Sequence, residues 1–392
     1  MKLAHIADPH LGIRQYHRQT PTGINQRETD VANAFRAAID GVIAERPGAV
    51  VIAGDLFHSV RPTNAAIVFA FRQLQRLREA LPDAPVVIIA GNHDTPRSVE
   101  TGSILGLFRE LRIDVAAEAA HRFVYPELDL SIFAVPHQAL VSGERPVLRP
   151  EGPERHQVLV LHGEYEGLFS GERGFEEYGG AIISARELSA GDWSYIAFGH
   201  YHVRCQVAER AWYAGALDYV STNPWAELRE EVLNRISGKG WLLADLDRGS
   251  VVPQPVSPSR RFIDLPPIDA EGKSAADLDA EIAARVAGAE GGIADKVVRL
   301  VVREIPRHVA RELDHQALRA LKVDALHFHV DLRRPEHLEQ TGLGAPGRRG
   351  TLPEIVRDYL ERRLLPAEMD RGRFVGLGVK VMESVERELS GS

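Results

Sequence analysis

A run of four bulky apolar residues that stops abruptly in a polar segment constrains the fold of this chain more than any other feature. Val86-Val87-Ile88-Ile89 has the length and composition of a β-strand buried on both faces. Ala90-Gly91-Asn92-His93-Asp94 follows it directly. In open α/β sheets, ligands bind just beyond the carboxyl ends of the strands. The stretch alone could be an ordinary polar turn, so its interpretation depends on how the neighbouring strands end.

Two earlier strand candidates end in the same way. Lys2–Ala7 stops at Asp8-Pro9-His10, and Ala49–Ala53 stops at Gly54-Asp55-Leu56-Phe57-His58. Two segments with apolar residues at helical spacing separate the three strands: Thr29–Ala44 and Ala65–Ala80. This β-α-β-α-β order predicts a parallel sheet with covering helices.

Later strand candidates continue the pattern. They are Leu130–Val135, Gln157–Leu161 and Tyr195–Phe198, which end at His137, at His162-Gly163 and at Gly199-His200-Tyr201-His202. Trp212–Gly215 and Gly240–Asp245 are predicted to close this unit. Six histidines therefore follow apolar strands directly: His10, His58, His93, His162, His200 and His202.

The pattern changes after three prolines, Pro253, Pro255 and Pro258. The later segments predict strands at Phe262–Leu265, Val297–Arg303 and His327–Asp331, helices at Ala275–Ala287 and Asp314–Leu321, and two final helices at Leu352–Leu364 and Arg373–Leu389. The glycine-rich stretch Gln340–Gly350 is typical of a linker. We therefore predict a first unit over 1–255, a smaller α+β unit over 256–338, a linker over 339–351 and a helical segment over 352–392.

Composition places the chain among soluble proteins. It has 392 residues with 44% hydrophobic and 26% charged content, which is ordinary for a globular protein. A net charge of −8 gives no global nucleic-acid signature, so DNA binding would need metal ions, local arginines or a partner. The single cysteine, Cys205, excludes an internal disulfide framework and fits a reducing compartment. With neither a signal peptide nor a membrane-spanning run, we expect a cytoplasmic protein.

The polar residues at the strand ends suit divalent metal ions. Mixed imidazole and carboxylate ligands favour ions such as Mn, Fe or Zn, and the ligands available exceed what one tetrahedral site needs. We therefore expect two ions. Among the sixteen histidines, His5 lies within a strand and is predicted to be a packing residue. His137 follows a strand but has no neighbouring acid. Two interpretations of it stay open: a residue near the metal site, or a packing residue.

These motifs, in this order, resemble the calcineurin-like metallophosphoesterase superfamily. Within it, Asp8-Pro9-His10-Leu11-Gly12 and Gly54-Asp55-Leu56-Phe57-His58, with Arg61-Pro62 and Tyr213-Ala214-Gly215, resemble the SbcD-type nucleases of double-strand-break repair. Pro9 departs from that pattern, where an apolar or aromatic residue is more usual. The resemblance implies an α/β, or α+β sandwich, catalytic domain with a smaller DNA-capping domain and a C-terminal helical tail.

The resemblance also implies roles for the strand-end residues. One metal ion would be held by Asp8, His10, Asp55 and His202, and the other by Asp55, Asn92, His162 and His200. Asp55 would then bridge the two ions, and the resemblance implies that they are Mn²⁺. His93 would protonate the leaving oxygen or stabilise the transition state, Asp94 would orient His93, and His58 would contact the substrate phosphate or leaving group.

The function implied is a two-metal DNA nuclease. It would act as an exonuclease on double-stranded ends and as an endonuclease on single-stranded or hairpin DNA, with an SbcC-type ATPase bound to residues 352–392. The resemblance further implies a homodimer through helices near Ala65–Ala80. Arg260-Arg261, Arg333-Arg334 and Arg348-Arg349 are candidate phosphate contacts. Two alternatives stay open: a phosphoesterase for small nucleotides or phosphoproteins, and a catalytically silent scaffold.

Overall fold

The computed structural model describes residues 1–96, 102–168, 180–236, 238–335, 357, 360 and 370–390. Contacts divide the chain into two compact units, residues 1–334 and 335–392. All strands of the described residues belong to the first unit, and the helix at 371–390 lies in the second.

The first sheet has six strands in the order β14-β13-β1-β2-β3-β4. Strands β1, β2, β3 and β4 run parallel, and β13 and β14 extend the sheet in the antiparallel sense. The strands are β1 (Lys2–Ile6), β2 (Ala49–Ala53), β3 (Val86–Ile89), β4 (Asp114–Ala116), β13 (Gly240–Asp245) and β14 (Ser250–Pro255). The predicted parallel order of the first three strands is confirmed.

The second sheet also has six strands, in the order β11-β12-β10-β7-β6-β5. Its four inner strands run parallel, while the two edge strands are antiparallel to their neighbours. The strands are β5 (His121–Tyr125), β6 (Leu130–Val135), β7 (His156–His162), β10 (Tyr195–Gly199), β11 (Cys205–Ala208) and β12 (Ala211–Tyr213).

The two sheets pack face to face. Val51 and Val87 of the first sheet share a core with Ile132 and Val160 of the second. The opposite face of the first sheet is covered by helices α1 (Gln26–Glu45) and α2 (Asn64–Ala80). The continuous apolar runs of β2 and β3 are explained by this arrangement, because one face of each strand meets helices and the other meets a second sheet. The predicted α/β sandwich is confirmed.

Shorter elements connect these strands. They are helices α3 (His137–Val141), α4 (Ala185–Leu188) and α5 (Pro224–Leu233), strands β8 (Glu164–Tyr165) and β9 (Ile182–Ile183), and 3-10 helices at Ile104–Leu111, Pro126–Leu128 and Ala190–Asp192.

A third, smaller sheet of three parallel strands follows. It contains β15 (Phe262–Asp269), β16 (Val297–Arg303) and β17 (His327–Leu332), with helices α6 (Ala275–Ala287), α7 (Arg307–Glu312) and α8 (His315–Asp324). Leu278, Leu300 and Phe328 belong to its own core. Phe262 packs on Tyr219 and Trp225, which joins this sheet to the loop after β12 and to helix α5. The predicted smaller α+β unit has these elements, and its boundary at residue 256 stays a prediction.

The second unit contains helix α9 (Arg371–Ser390), close to the predicted Arg373–Leu389. The predicted linker at 339–351 lies outside the described residues, as does the predicted helix Leu352–Leu364 apart from positions 357 and 360. Among the described helices, none combines the length and the apolar character that a membrane span requires.

Candidate metal centre

The carboxyl ends of strands from both large sheets meet at one place. Asp8 and His10 follow β1, and Asp55 follows β2. The second sheet brings His162 at the end of β7 and His200 just after β10. The structure brings together all seven residues predicted as metal ligands: Asp8, His10, Asp55, Asn92, His162, His200 and His202.

The turns that carry these side chains have unusual backbone conformations. Asp8, His10, Asp55 and His200 all have positive φ, at 50°, 47°, 50° and 98°. A residue other than glycine rarely adopts such an angle, and surrounding structure must hold it there. Here the amide of His10 donates to the Asp55 carbonyl over 2.9 Å, which ties the two turns together. The strain therefore falls on the residues that form the centre.

Asp55 lies at the middle of the group and is fully buried. Its Oδ1 accepts the His93 amide over 2.8 Å. Its Oδ2 lies 3.3 Å from His162 Nε2 and 3.6 Å from His10 Nε2, yet accepts no well-oriented hydrogen bond from the described residues. Burial disfavours its charge, but the imidazoles of His162 and His10 outweigh burial and hold the pKa of Asp55 well below its usual range.

One half of the centre contains Asp8, His10 and His202, whose ligand atoms all lie within 4.8 Å of one another. The Nε2 atoms of His10 and His202 are 3.2 Å apart. The Asp8 carboxylate accepts the His200 amide over 3.0 Å. Burial raises the pKa of Asp8 to about 6, although His162 opposes this. Two imidazole nitrogens and a carboxylate at this separation can share one cation.

The other half is arranged around Asn92. Its Oδ1 lies 2.9 Å from His162 Nε2 and 3.2 Å from His200 Nδ1. His162 Nδ1 lies 2.9 Å from the Ala53 carbonyl. A carbonyl can only accept, so Nδ1 carries a hydrogen and Nε2 of a neutral ring presents its lone pair to Asn92 and Asp55.

The lone pair of His162 Nε2 would face the oxygens of Asn92 and Asp55, which are acceptors too. A positive charge must therefore lie among these three groups. Without a cation, the charge is a proton: burial opposes it, but Asp55 and Asp8 raise the pKa of His162 to about 10. A divalent cation held by the same three groups satisfies all of them at once, since it replaces the proton as the shared positive charge. The geometry therefore fits a metal.

His93 and His58 lie at the partly exposed side of the centre. Their rings are 5.1 Å apart and 24° from parallel. His93 Nδ1 is 2.9 Å from the His58 carbonyl, so Nδ1 carries a hydrogen and Nε2 is left for other contacts. His58 Nδ1 lies 3.2 Å from His10 Nδ1. Burial, followed by His93, lowers the pKa of His58 to about 4, so its ring is neutral at neutral pH.

The predicted role of Asp94 as the group that orients His93 is wrong. Asp94 accepts the backbone amides of Leu56 and Phe57, each over 3.0 Å, and that of Gly91 over 3.3 Å. Buried amides require acceptors, and Asp94 is the acceptor for the turn that carries Asp55. It therefore fixes the position of Asp55, while the His58 carbonyl orients His93.

Two glycines allow this close approach. A Cβ at Gly91 would lie 2.1 Å from Asp55 Oδ1, and a Cβ at Gly54 would lie 2.2 Å from His162 Nδ1. Gly54 also has φ of +91°. Glycine is required at both positions because any side chain would occupy space that a ligand needs.

Sequence reasoning missed the support of His202. Lys239 Nζ donates to the His202 carbonyl over 3.0 Å, and it forms ion pairs with Glu227 and with Glu231, the latter at 3.1 Å. Glu227 Oε1 lies 3.8 Å from His202 Nδ1. Glu227 belongs to α5, whose sequence reads as an ordinary charged helix. No pattern in the sequence links it to His202.

A second missed carboxylate is Glu164, whose Oε1 lies 3.4 Å from His200 Nε2. It follows His162 by two residues in strand β8, at a position that gives no pattern in the sequence.

The histidines outside the predicted set have distinct places. His5 is buried, with Nδ1 3.0 Å from the Tyr195 hydroxyl and Nε2 3.1 Å from the Phe198 carbonyl, which confirms it as a packing residue. His137 is also buried, and its ring centre lies 6.4 Å from that of His162. It therefore packs against the centre.

One arginine of each described basic pair is engaged within the protein. Arg260 contacts Asp30 over 3.2 Å and Asp295 over 3.4 Å, and Arg333 contacts Asp331 over 2.8 Å. Both side chains therefore already have carboxylate partners. Arg348-Arg349 lies outside the described residues.

Comparison with known proteins identifies a family and several relatives of this chain. The family model of the calcineurin-like phosphoesterases matches residues 1–204. The chain is 32% identical to the DNA double-strand break repair protein Mre11 of Sulfolobus acidocaldarius over 253 residues, covering 63% of the chain and 60% of that protein. It is 30% identical to the Mre11 protein of Sulfurisphaera tokodaii over 211 residues, covering 52% and 49% respectively.

A third relative is the Mre11 protein of Methanococcus maripaludis, which is 39% identical over 111 residues and covers 28% of each chain. These matches span between 28% and 60% of the relatives' own length.

Proposed function

Because the chain belongs to the calcineurin-like phosphoesterase family, we propose that it is a metal-dependent phosphodiesterase that hydrolyses DNA. The observation that carries this proposal is the Oδ2 atom of Asp55. It is buried between two imidazole nitrogens, His10 Nε2 at 3.6 Å and His162 Nε2 at 3.3 Å, with no well-oriented hydrogen bond from the described residues. A buried carboxylate oxygen in that position is suited to bridge two cations.

The donor set determines which ions fit. It contains carboxylate, imidazole and amide groups without a thiolate, which suits hard to borderline divalent ions, and Mn²⁺ is the ion we propose. In this proposal two sets of four residues share Asp55. The first set is Asp8, His10, Asp55 and His202, and the second is Asp55, Asn92, His162 and His200.

The ions, when bound, supply Lewis-acid activation of water and of the phosphoryl oxygens. The protein supplies their placement, since Asp94 holds the turn of Asp55 and Lys239 holds the backbone of His202. His93 supplies a fixed tautomer: its Nδ1–H donates to the His58 carbonyl, so Nε2 is the nitrogen left for a contact with the substrate. A protonated Nε2 can donate to the leaving oxygen or to a charged phosphoryl oxygen.

His58 completes that side of the centre. Its ring stacks on His93 and is half-buried, so it can reach a phosphate that occupies the centre. The two imidazoles place hydrogen-bond donors beside the metal ligands. Negative charge develops on the phosphoryl oxygens at this place during phosphoryl transfer, and donors stabilise it.

DNA is the proposed substrate because the relatives named above are DNA double-strand break repair proteins. We propose exonuclease action on double-stranded ends and endonuclease action on single-stranded or hairpin DNA. The position of the smaller sheet supports a role for it in DNA binding. Its residue Phe262 packs on the Tyr219 ring, and Lys239, which donates to the His202 carbonyl, lies over the same ring. We propose that residues 256–338 cap the DNA.

Helix α9 supports a proposed partner, an SbcC-type ATPase. Leu377 and Val381 lie four residues apart on this helix and are 64% and 55% exposed. An apolar stripe of this kind suits a helix-in-groove contact. Removing residues 351–392 should therefore abolish co-purification with the ATPase and leave basal nuclease activity intact, whereas unchanged co-purification would exclude this helix.

Helix α2 supports a proposed homodimer. Val68 is 48% exposed on it, beside the half-buried Ile67 and Phe69. An exposed apolar helix face is typical of an interface. Val68→Glu should convert a dimer to a monomer in sedimentation velocity, and a wild-type monomer at micromolar concentration would refute the proposal.

One assay tests the proposed activity. Purified protein is incubated with Mn²⁺ and linear duplex, hairpin or single-stranded DNA, and in parallel with a chromogenic phosphodiester. Wild type and the matched control Asp83→Asn, an exposed carboxylate, should cleave DNA, while Asp55→Asn and an EDTA-treated sample should not. Cleavage of the chromogenic ester alone would favour a small-nucleotide phosphoesterase. No cleavage of either would favour a scaffold.

A further inference from the structure

Three aromatic rings lie nearly parallel where the loop after β1 meets strand β17. The Tyr16 and His327 rings are 4.0 Å apart and 19° from parallel. The His327 and His329 rings are 6.2 Å apart and 10° from parallel. Tyr16 and His327 are half-buried, and His329 is exposed. We call these three residues the ring stack. Its outer ring, that of His329, is the exposed one.

The backbone at Tyr16 is strained. Its φ is +60°, a conformation that is strained for a bulky aromatic residue. Asn25 Nδ2 donates to the Tyr16 carbonyl over 3.0 Å and to the Gln15 carbonyl over 3.3 Å. Asn25 is itself the N-cap of α1. A strained residue fixed by a helix cap is a preorganised feature, and such strain concentrates at ligand sites.

Basic side chains lie beside the ring stack. Arg299 lies directly opposite His329 in the β16–β17 register, but its guanidinium donates to both carboxylate oxygens of Asp264, over 2.9 Å and 2.6 Å, and is therefore already paired. Lys322 and His17 are exposed and close enough to act electrostatically on His327. Burial, followed by His329, Lys322 and His17, lowers the pKa of His327 to about 4, so the middle ring is neutral at neutral pH.

We propose that the ring stack is a subsite for an unpaired nucleobase, with one base stacked on the exposed ring of His329 and its phosphate near Lys322 and His17. This inference rests on the proposed function and specifies which DNA it concerns: single-stranded or frayed segments, since a base in a duplex has no free face. Aromatic side chains bind bases of any sequence in this way, while cationic neighbours hold the backbone. The subsite therefore selects unpaired DNA without reading its sequence.

The test uses the full-length protein in EDTA, so that no strand is cut. A single-stranded oligonucleotide with one 2-aminopurine is titrated, because stacking quenches this base. Wild type should bind it with quenching. His329→Ala should weaken binding about tenfold and remove the quenching, since one stacked base is lost. His329→Phe should restore both, because it keeps the ring. His308→Ala, an exposed histidine of α7, is the matched control and should resemble wild type.

Blunt duplex binding gives the second readout, and it should be the same for wild type and His329→Ala. Wild-type binding by His329→Ala, or failure of His329→Phe to restore quenching, would overturn the ring stack as a base subsite. Those results would leave the proposed nuclease intact, because hydrolysis in Mn²⁺ is measured separately. A wild-type protein that neither binds DNA nor cleaves phosphodiesters would overturn both proposals.

Discussion

Lys239→Met offers a quantitative test of how the protein supports His202. The Lys239 side chain is 2% exposed and forms ion pairs with Glu227, which is fully buried, and with Glu231. It also donates to the His202 carbonyl and lies 4.5 Å over the Tyr219 ring. Methionine preserves most of the volume and removes the charge. Glu227 would then be a buried carboxylate without its cation.

The cost follows from that isolated charge. Removing one partner of a buried ion pair destabilises a protein by about 3–5 kcal/mol. The double variant Glu227→Gln/Lys239→Met should recover much of this, because it removes the charge of Glu227 together with that of Lys239 and leaves only Glu231 without its cation. Exposed Lys2, which pairs with Glu45 and is 52% exposed, is the matched control. Lys2→Met should cost at most about 1 kcal/mol.

The cost should also depend on pH. Burial raises the pKa of Glu227, but Lys239 and His202 outweigh burial and lower it to about 2, below the usual 4.5. In the wild type this carboxylate contributes stability that is present above about pH 4.5 and is lost as pH falls towards 2. In Lys239→Met, burial dominates and raises the pKa of Glu227. Protonation then relieves the buried charge, so the difference from wild type should shrink between pH 7 and pH 5.

The assay is urea unfolding followed by tryptophan fluorescence at both pH values, with calorimetric Mn²⁺ titration of the folded variant. A metal ligand that loses its support typically loses about 10- to 100-fold in metal affinity, so Mn²⁺ should bind more weakly. A cost below about 1 kcal/mol at pH 7, or additive effects in the double variant, would refute the reasoning.

Three further predictions concern other parts of the first unit. Gly91→Ala should leave the protein folded at lower stability and weaken Mn²⁺ binding, because its Cβ would meet Asp55 Oδ1 at 2.1 Å; calorimetric binding equal to wild type would contradict this. His93→Ala should bind Mn²⁺ and DNA normally but lose about 10²-fold or more in cleavage rate, measured under single-turnover conditions, and an active variant would exclude the role of His93. His5, whose pKa burial lowers to about 3, should contribute stability above about pH 6.5 that is lost as pH falls towards 3, by up to about 4–5 kcal/mol. Between pH 6 and 4 the unfolding free energy of wild type should therefore fall more steeply than that of His5→Gln, and equal slopes would refute this.

Much of the fold could be predicted because the strands are long apolar runs with abrupt ends. Val86–Ile89 is a buried strand, and its polar end lies at the centre, as the pattern predicted. The pairing of two sheets could not be predicted in detail, since the order β12-β10-β7-β6 depends on contacts between distant segments. Helix α7 was missed because six residues are too few for a periodic signal.

The candidate site could also be predicted only in part. The seven predicted ligands lie together because parallel strands bring their carboxyl ends to one edge. The role of Asp94 was predicted wrongly because adjacency in sequence to His93 suggested contact, while the backbone directs its carboxylate to the amides of Leu56 and Phe57. Glu227 was missed because its relation to His202 exists only in three dimensions.

The most direct test of the account is a count of bound metal ions. Wild-type protein and Asp55→Asn are dialysed against Mn²⁺, freed of excess, and measured by elemental analysis. Because Asp55 Oδ2 lies between His10 and His162, wild type should hold two ions per chain and Asp55→Asn should hold none after the same dialysis. Asp83→Asn, the exposed control, should also hold two. Two ions retained by Asp55→Asn would contradict the bridging role of Asp55 on which the account depends.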